Sequence, residues 1–170
     1  MKRLFLFRHA KAVQADKDTP ADADRPLTES GRQDAANIGR AMREKAYRPD
    51  LIWCSPSART SQTLEAAETE LRARATVEYV ESIYNATAGQ LLALVQALDD
   101  GSVRPMLVGH NPGFEELAAL LVNSAGAKAF TASAGKERFP TAGLVVLDFE
   151  ISTWSAVAAH TGSLADFLKP

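Results

Sequence analysis

Short runs with strand character alternate along the chain with stretches of helical spacing. The runs lie at residues 4–7, 51–54, 76–80, 106–108 and 144–149. Continuous apolar runs such as 4–7 are typical of strands buried on both faces of a sheet. The regular alternation of strand and helix predicts an α/β fold, a three-layer α/β/α sandwich with a mostly parallel central sheet.

The helices are predicted from spacing and from residues that suit helix ends. Thr28 suits the N-cap of a helix in which apolar side chains such as Ile38 and Met42 recur at helical spacing. Further helices are predicted from 55–57 to about residue 73, over 89–98 and over 114–122. The C-terminal region predicts two adjacent strands, at 144–149 and 154–160. Since no repeat or low-complexity linker interrupts the pattern, residues 1–170 are expected to form one domain.

Composition and charge narrow the classes of function. Apolar residues make up 46% of the 170 residues and charged residues 24%, which is typical of globular proteins. The net charge of −2 gives no overall attraction to nucleic acid or to an anionic membrane. Cys54 is the only cysteine, so neither an internal disulfide nor a cysteine-based zinc site is possible.

The apolar run at 4–7 is interrupted by Arg8, too early for the apolar core of a signal peptide. No stretch approaches the roughly 20 apolar residues that cross a bilayer. We therefore expect a soluble, cytoplasmic protein whose N-terminus forms a strand, and a monomer by default.

Unusual residues follow four successive strands. Arg8 and His9 follow the first, Arg59 lies after the second, Glu81 follows the third, and His110 lies after the fourth. Ligands of open parallel sheets bind outside the carboxyl ends of the strands. Two histidines, two arginines and a carboxylate are therefore expected to gather at one edge of the sheet.

This set of side chains indicates phosphoryl transfer. Guanidinium groups such as those of Arg8 and Arg59 bind phosphoryl oxygens bidentately. A neutral imidazole can attack phosphorus, and nearby cations favour the neutral form. His9 is the better nucleophile candidate because Arg8 flanks it, and His110 would stabilise charge on the equatorial oxygens.

Each of these residues taken alone has a simpler explanation. A single histidine at a strand end is more often structural or exposed, and a single arginine is usually solvated or part of a weak ion pair. Gly109 and Gly113 could serve turn geometry alone. His160 is assigned no role. The joint placement of the other residues favours a functional site.

Three motifs carry a resemblance to a known family. Residues 6–10, Leu-Phe-Arg-His-Ala, resemble the Arg-His-Gly motif of the histidine phosphatase superfamily, which has the fold of phosphoglycerate mutase. Residues 55–63, Ser-Pro-Ser-Ala-Arg-Thr-Ser-Gln-Thr, resemble its Ser-Pro-x-x-Arg-x-x-Gln-Thr motif. Residues 108–112, Val-Gly-His-Asn-Pro, resemble the third motif, around the second histidine. The resemblance extends over nearly the whole chain.

The resemblance implies roles for individual residues. His9 would be the phosphorylated nucleophile, and Arg8, Arg59 and His110 would complete the phosphate pocket. Glu81 stands where many members keep their general acid.

Residues 25–31, Arg-Pro-Leu-Thr-Glu-Ser-Gly, are similar to a stretch of the small SixA-type phosphohistidine phosphatases. The resemblance to that branch implies that Arg25 borders the pocket. A role in starting the next helix, with Thr28 as its N-cap, explains the stretch equally well.

Two departures from the family pattern affect the expected substrate. Ala10 replaces the glycine of the commoner motif, which is tolerable if that position does not need positive φ. The short chain leaves little room for the lid that larger mutases place over small substrates. An open site suits a phosphorylated side chain presented by another protein, and it also suits indiscriminate hydrolysis of small esters.

The resulting expectation is a metal-independent phosphatase that works through phospho-His9, acting on phosphohistidine of a phosphotransfer protein. One alternative is a phosphomonoesterase for small metabolites; a mutase fits less well because its bisphosphate intermediate needs an enclosed site. Another alternative is a non-catalytic phosphate-binding module of the same fold.

No metal or other cofactor is expected. The aspartate-rich stretch lacks a calcium-loop pattern and is predicted to be a solvated loop. Its acidic residues are Asp16, Asp18, Asp22 and Asp24.

Overall fold

The computed structural model describes residues 1–15, 21–133 and 139–170. Within these ranges six strands form one sheet in the order β3-β2-β4-β1-β5-β6. The strands are β1 (Lys2–Arg8), β2 (Leu51–Cys54), β3 (Thr76–Tyr79), β4 (Pro105–Gly109), β5 (Leu144–Phe149) and β6 (Ser163–Leu168). All except β5 run in the same direction. The predicted α/β class with a mostly parallel sheet is confirmed.

Helices cover both faces of this sheet. They are α1 (Glu29–Glu44), α2 (Ala58–Leu71), α3 (Ala88–Gln96), α4 (Gly113–Leu121) and α5 (Ser124–Ser133). Side chains of β1 alternate between two apolar clusters: Phe5 packs with residues of α1 and α2, and Leu6 packs with residues of α3 and α4. Residues 4–7 of β1 are buried on both faces, which explains why this part of the strand is continuously apolar, as predicted.

The helix starts follow local capping rules. The Oγ1 of Thr28 accepts a hydrogen bond from the Gly31 N–H at 3.0 Å, so α1 begins where the sequence predicts. Thr87 and Gln90 form a reciprocal capping box at the start of α3.

The C-terminal region differs from the prediction. The strand predicted at 154–160 is wrong, because Trp154–Ala156 form a short 3-10 turn. The Trp154 indole is buried, and its Nε1 donates to the Ser102 carbonyl at 2.8 Å. Packing of this turn against the core therefore explains the apolar residues that suggested a strand. The last strand is β6, in which exposed and half-buried positions alternate at first. Helix α5, rich in small residues, was not predicted.

The sheet brings the ends of its parallel strands to one edge. Arg8, the last residue of β1, pairs with Gly109, the last residue of β4. Cys54, the last residue of β2, pairs with Val108 of β4. Residues that follow these strands therefore converge. Among the helices described, none is both long enough and apolar enough to span a membrane.

Candidate active site

His9 lies directly after β1 and is fixed by backbone contacts on two sides. Its N–H donates to the Gly109 carbonyl at 2.9 Å, and its own carbonyl accepts from the Ala142 N–H at 3.1 Å. The ring Nδ1 lies 2.8 Å from the Ala10 carbonyl oxygen. A carbonyl only accepts hydrogen bonds, so Nδ1 carries the proton in the neutral ring and Nε2 keeps its lone pair.

His110 lies beside His9, with 5.3 Å between the ring centroids. Its Nε2 is 2.8 Å from the Ser55 hydroxyl, and the Tyr84 ring meets it edge-on at 5.3 Å. Only 4% of His110 is exposed. Its buried Nδ1 has no hydrogen-bond partner among the residues that the structure describes.

Burial and positive charge keep both imidazoles neutral. Burial, aided by the charges of Arg59 and Arg8, lowers the pKa of His9 to about 4, although the hydrogen bond to Ala10 opposes the shift. Burial and the Arg59 charge are also the main causes that lower the pKa of His110 to about 3. Both rings are therefore neutral across the physiological pH range.

The two predicted phosphate-binding arginines are held by carbonyl oxygens. Arg59 is only 4% exposed, and its Nη1 donates to the Asp22 carbonyl at 2.6 Å. The Nε of Arg59 is buried without a hydrogen-bond partner in the described part of the chain. Arg8 donates through Nη1 to the Phe139 carbonyl, which also accepts from Asn111 Nδ2 at 3.1 Å.

The second motif connects the other segments of the site. The Thr63 hydroxyl accepts from the Ala10 N–H at 2.9 Å and donates to the Arg59 carbonyl at 2.6 Å. The Gln62 Oε1 accepts from the Leu27 N–H at 2.8 Å. Ser55 in addition contacts His110. Residues 55–63 therefore connect the segments that follow β1 and β4 with the segment that precedes α1. The sequence contained these residues, but no role was inferred for them.

The start of α1 packs closely against the segment after His9. The Thr28 N–H donates to the Lys11 carbonyl at 2.9 Å. A Cβ atom at Gly31 would collide with the same carbonyl oxygen, so glycine permits this approach. The helix-entry role proposed for the 25–31 stretch is therefore present.

Arg25 is held by the Asp22 carboxylate. Its Nε and Nη2 lie 2.9 and 2.7 Å from Asp22 Oδ1. The positive charge of Arg25 contributes to the lowered pKa of His9. The helix-entry role of Thr28 is thus observed, and the role of Arg25 at the pocket stays a prediction.

Asp22 is exposed, as predicted for a solvated stretch, but its carboxylate is also bound by neighbouring groups. Besides Arg25, its carboxylate accepts from Arg59 Nη2 at 3.0 Å and from the Tyr84 hydroxyl at 2.6 Å. Asp24 is exposed, and Asp16 and Asp18 lie outside the described residues. Tyr84 was not singled out from the sequence, and Asp22 was named there only as part of the aspartate-rich stretch.

The Glu81 side chain does not contact the histidines and arginines of the site. Glu81 opens the short 3-10 turn Glu81–Ile83 after β3, and its side chain is exposed. Its carboxylate has no hydrogen bond or ion pair with any group in the ranges that the structure covers. Its role as general acid remains a prediction. Within the same ranges, no three His, Cys, Asp or Glu side chains lie close enough together to hold a metal ion.

The pKa shifts predict the charge state of the two rings. At pH 5.5 an unperturbed histidine, with a pKa of about 6.5, is mostly protonated, whereas His9 and His110 should remain neutral. ¹⁵N-edited NMR of the imidazole nitrogens measures this directly. Because the folded-state pKa values are lowered, the two rings should also cost stability as the pH falls from about 6.5 toward 4. Two charged rings in the folded protein at pH 5.5 would contradict the assignment.

Thr63→Val should loosen the segment that carries His9. The variant keeps the side-chain shape but leaves the Ala10 N–H without its buried acceptor, so the free energy of unfolding should fall by about 1–3 kcal/mol. Denaturant unfolding measures the loss. Thr69→Val is the matched control, since Thr69 lies in α2, bonds the carbonyl four residues earlier and is exposed. Equal losses in the two variants would show that the Ala10 contact contributes nothing.

Comparison with known proteins agrees with this geometry. The family model of the histidine phosphatase superfamily (branch 1) matches residues 4–96. The solved structure of a protein from Agrobacterium tumefaciens, described as a candidate phosphohistidine phosphatase SixA, is 35% identical, with a TM-score of 0.81 over 99% of this chain and 98% of that one. A protein of the same description from Nakamurella multipartitia is 29% identical, with a TM-score of 0.81 over 99% and 96% of the two chains.

An uncharacterized protein of Mycobacterium tuberculosis is 32% identical over 163 residues, which are 96% of this chain and 99% of the relative. The match extends through the segments that carry both histidines and both pocket arginines. The chain belongs to the histidine phosphatase superfamily and is of the SixA type.

Proposed function

We propose that this chain is a metal-independent phosphatase that forms phospho-His9 and then transfers the phosphoryl group to water. The observation that carries the proposal is a neutral His9 with an unprotonated Nε2 beside His110 and among guanidinium groups. Membership of the superfamily supports a phosphatase. Three nearby arginines supply positive charge that a metal ion would otherwise provide.

In the first step Nε2 of His9 attacks phosphorus in line with the departing atom. A bond forms between Nε2 and phosphorus as the bond to the leaving group breaks. Arg8 and Arg59 bind the equatorial oxygens. If Ser55 donates its hydroxyl proton to His110 Nε2, the unpartnered Nδ1 of His110 carries the hydrogen that stabilises the transition state. In the second step water attacks phospho-His9 and releases inorganic phosphate.

We propose phosphohistidine of a phosphotransfer protein as the substrate. Two structural neighbours are described as candidate phosphohistidine phosphatases, and the more similar of them covers nearly the whole chain. An imidazole leaves far more readily than an alkoxide, so such a substrate places little demand on a general acid. This agrees with the exposed position of Glu81, whose carboxylate contacts no other group among the described residues.

The deciding experiment compares phosphate release from a phosphohistidine-bearing domain and from a panel of phosphomonoesters, in EDTA. We expect strong preference for phosphohistidine, abolished in His9→Ala and retained in His160→Ala, whose histidine is exposed. A labelled adduct that is labile in acid and stable in alkali should form on His9. Preference for one small ester would overturn the substrate while keeping the mechanism. Loss of activity in EDTA would overturn metal independence, and no His9-dependent release would favour a binding module.

Glu81→Gln tests the leaving-group argument. If Glu81 protonates a departing alkoxide, the variant should lose about 100-fold in kcat on phosphoesters and little on phosphohistidine. Stopped-time phosphate assays on both substrates give the two ratios. Glu150→Gln is the control, since Glu150 is exposed and follows β5 at the opposite edge of the sheet. Equal losses on both substrates would count against the phosphohistidine assignment.

A further inference from the structure

The Asp22 side chain connects Arg25 to Arg59. Oδ1 accepts from Nε and Nη2 of Arg25, and Oδ2 accepts from Nη2 of Arg59. The backbone carbonyl of Asp22 accepts from Nη1 of Arg59, so both terminal nitrogens of that guanidinium contact one residue. The Tyr84 hydroxyl donates to the same carboxylate, and the Tyr84 ring packs against His110.

The carboxylate lies on the solvent side of the buried arginine. The Asp22 side chain is 51% exposed, whereas that of Arg59 is 4% exposed. Since Asp22 Oδ2 lies 3.0 Å from Arg59 Nη2, a phosphoryl group bound by Arg59 has a negative charge nearby. The hydrogen bond from Tyr84, followed by those from Arg25 and Arg59, holds the pKa of Asp22 well below its usual range. The charge is present at every pH at which the protein would work.

Asp22 limits the positive charge that is available to a second anionic group. Among the described groups, Arg25 and Arg59 both contact the Asp22 carboxylate, so part of their positive charge is already offset. A substrate with a second anionic group would add negative charge beside Asp22, without a further arginine among those described around His9 to receive it.

We propose that Asp22 is a specificity-determining residue, which selects phosphorylated substrates whose remaining part is neutral or cationic and disfavours those with a second anionic group. The inference rests on the proposed function and narrows its substrate class. A phosphohistidine side chain meets the requirement, because the group beyond phosphorus is an imidazole. Phosphorylated carboxylic acids and bisphosphates do not meet it.

Electrostatics sets the size of the effect. Two like charges about 7 Å apart, in surroundings between a protein surface and bulk water, change a binding constant by about 3- to 10-fold. Mild screening at moderate salt leaves this difference measurable.

The test compares the binding of three non-hydrolysable probes by isothermal titration calorimetry: phenylphosphonate, 4-carboxyphenylphosphonate and 4-(trimethylammonio)phenylphosphonate. Wild-type protein should bind the carboxylated probe about 3- to 10-fold more weakly than phenylphosphonate, and the cationic probe more tightly. Asp22→Asn keeps an oxygen that accepts from Arg59 and Tyr84 but removes the charge, so the three affinities should converge. Asp24→Asn, a neighbour in the same 3-10 turn, removes an equal charge that has no hydrogen bond or ion pair among the described residues, and it should leave the ranking unchanged.

The outcomes separate this inference from the proposed function. If wild-type protein binds the three probes equally, or if Asp22→Asn keeps the wild-type ranking, the selectivity inference is overturned and the phosphatase proposal stands. If phenylphosphonate does not bind to wild-type protein, both are overturned. Equal affinities in wild-type protein overturn the inference without any variant, and binding of phenylphosphonate by Asp22→Asn shows that the variant is folded.

Discussion

Buried hydrogen bonds from residues 55–63, between the end of β2 and the second turn of α2, hold the ends of separate strands in one arrangement. Thr63 accepts from the backbone after His9, and Ser55 contacts the ring of His110. Both hydroxyl-bearing side chains are fully buried, where an unpaired polar group is costly. The relative positions of the two histidines therefore depend on contacts that the protein cannot lose without also losing stability.

This arrangement places neutral rings next to permanent charges. The burial that lowers the pKa values of His9 and His110 also confines Arg59, whose charge lowers them further. Asp22 offsets part of that charge from the solvent side. The neutral rings of His9 and His110 and the compensating charge of Asp22 thus come from different parts of the cluster. A substitution of Asp22 can change the charge and leave both histidines in place.

The sequence allowed the fold and most of the cluster to be predicted, since both follow from local patterns. Apolar runs located the strands, and the rule for strand ends brought Arg8 and His110 together. The roles of Asp22 and Tyr84 were not predicted, because Asp22 contacts Arg59 37 positions away and Tyr84 62 positions away. Side-chain direction at such separations has no periodic signature. The exposed position of Glu81 and the burial of Trp154 were missed for the same reason.

The contact between Arg8 and the Phe139 carbonyl links the pocket to distant parts of the sheet. The Phe139 ring packs edge-on against Phe130 of α5 and Phe167 of β6, so the last residue of β1 is positioned by α5 and β6. A chain truncated before β6 would keep every motif residue but lose the Phe167 ring that packs against Phe139, so the support behind Arg8 depends on a strand that carries none of the motifs.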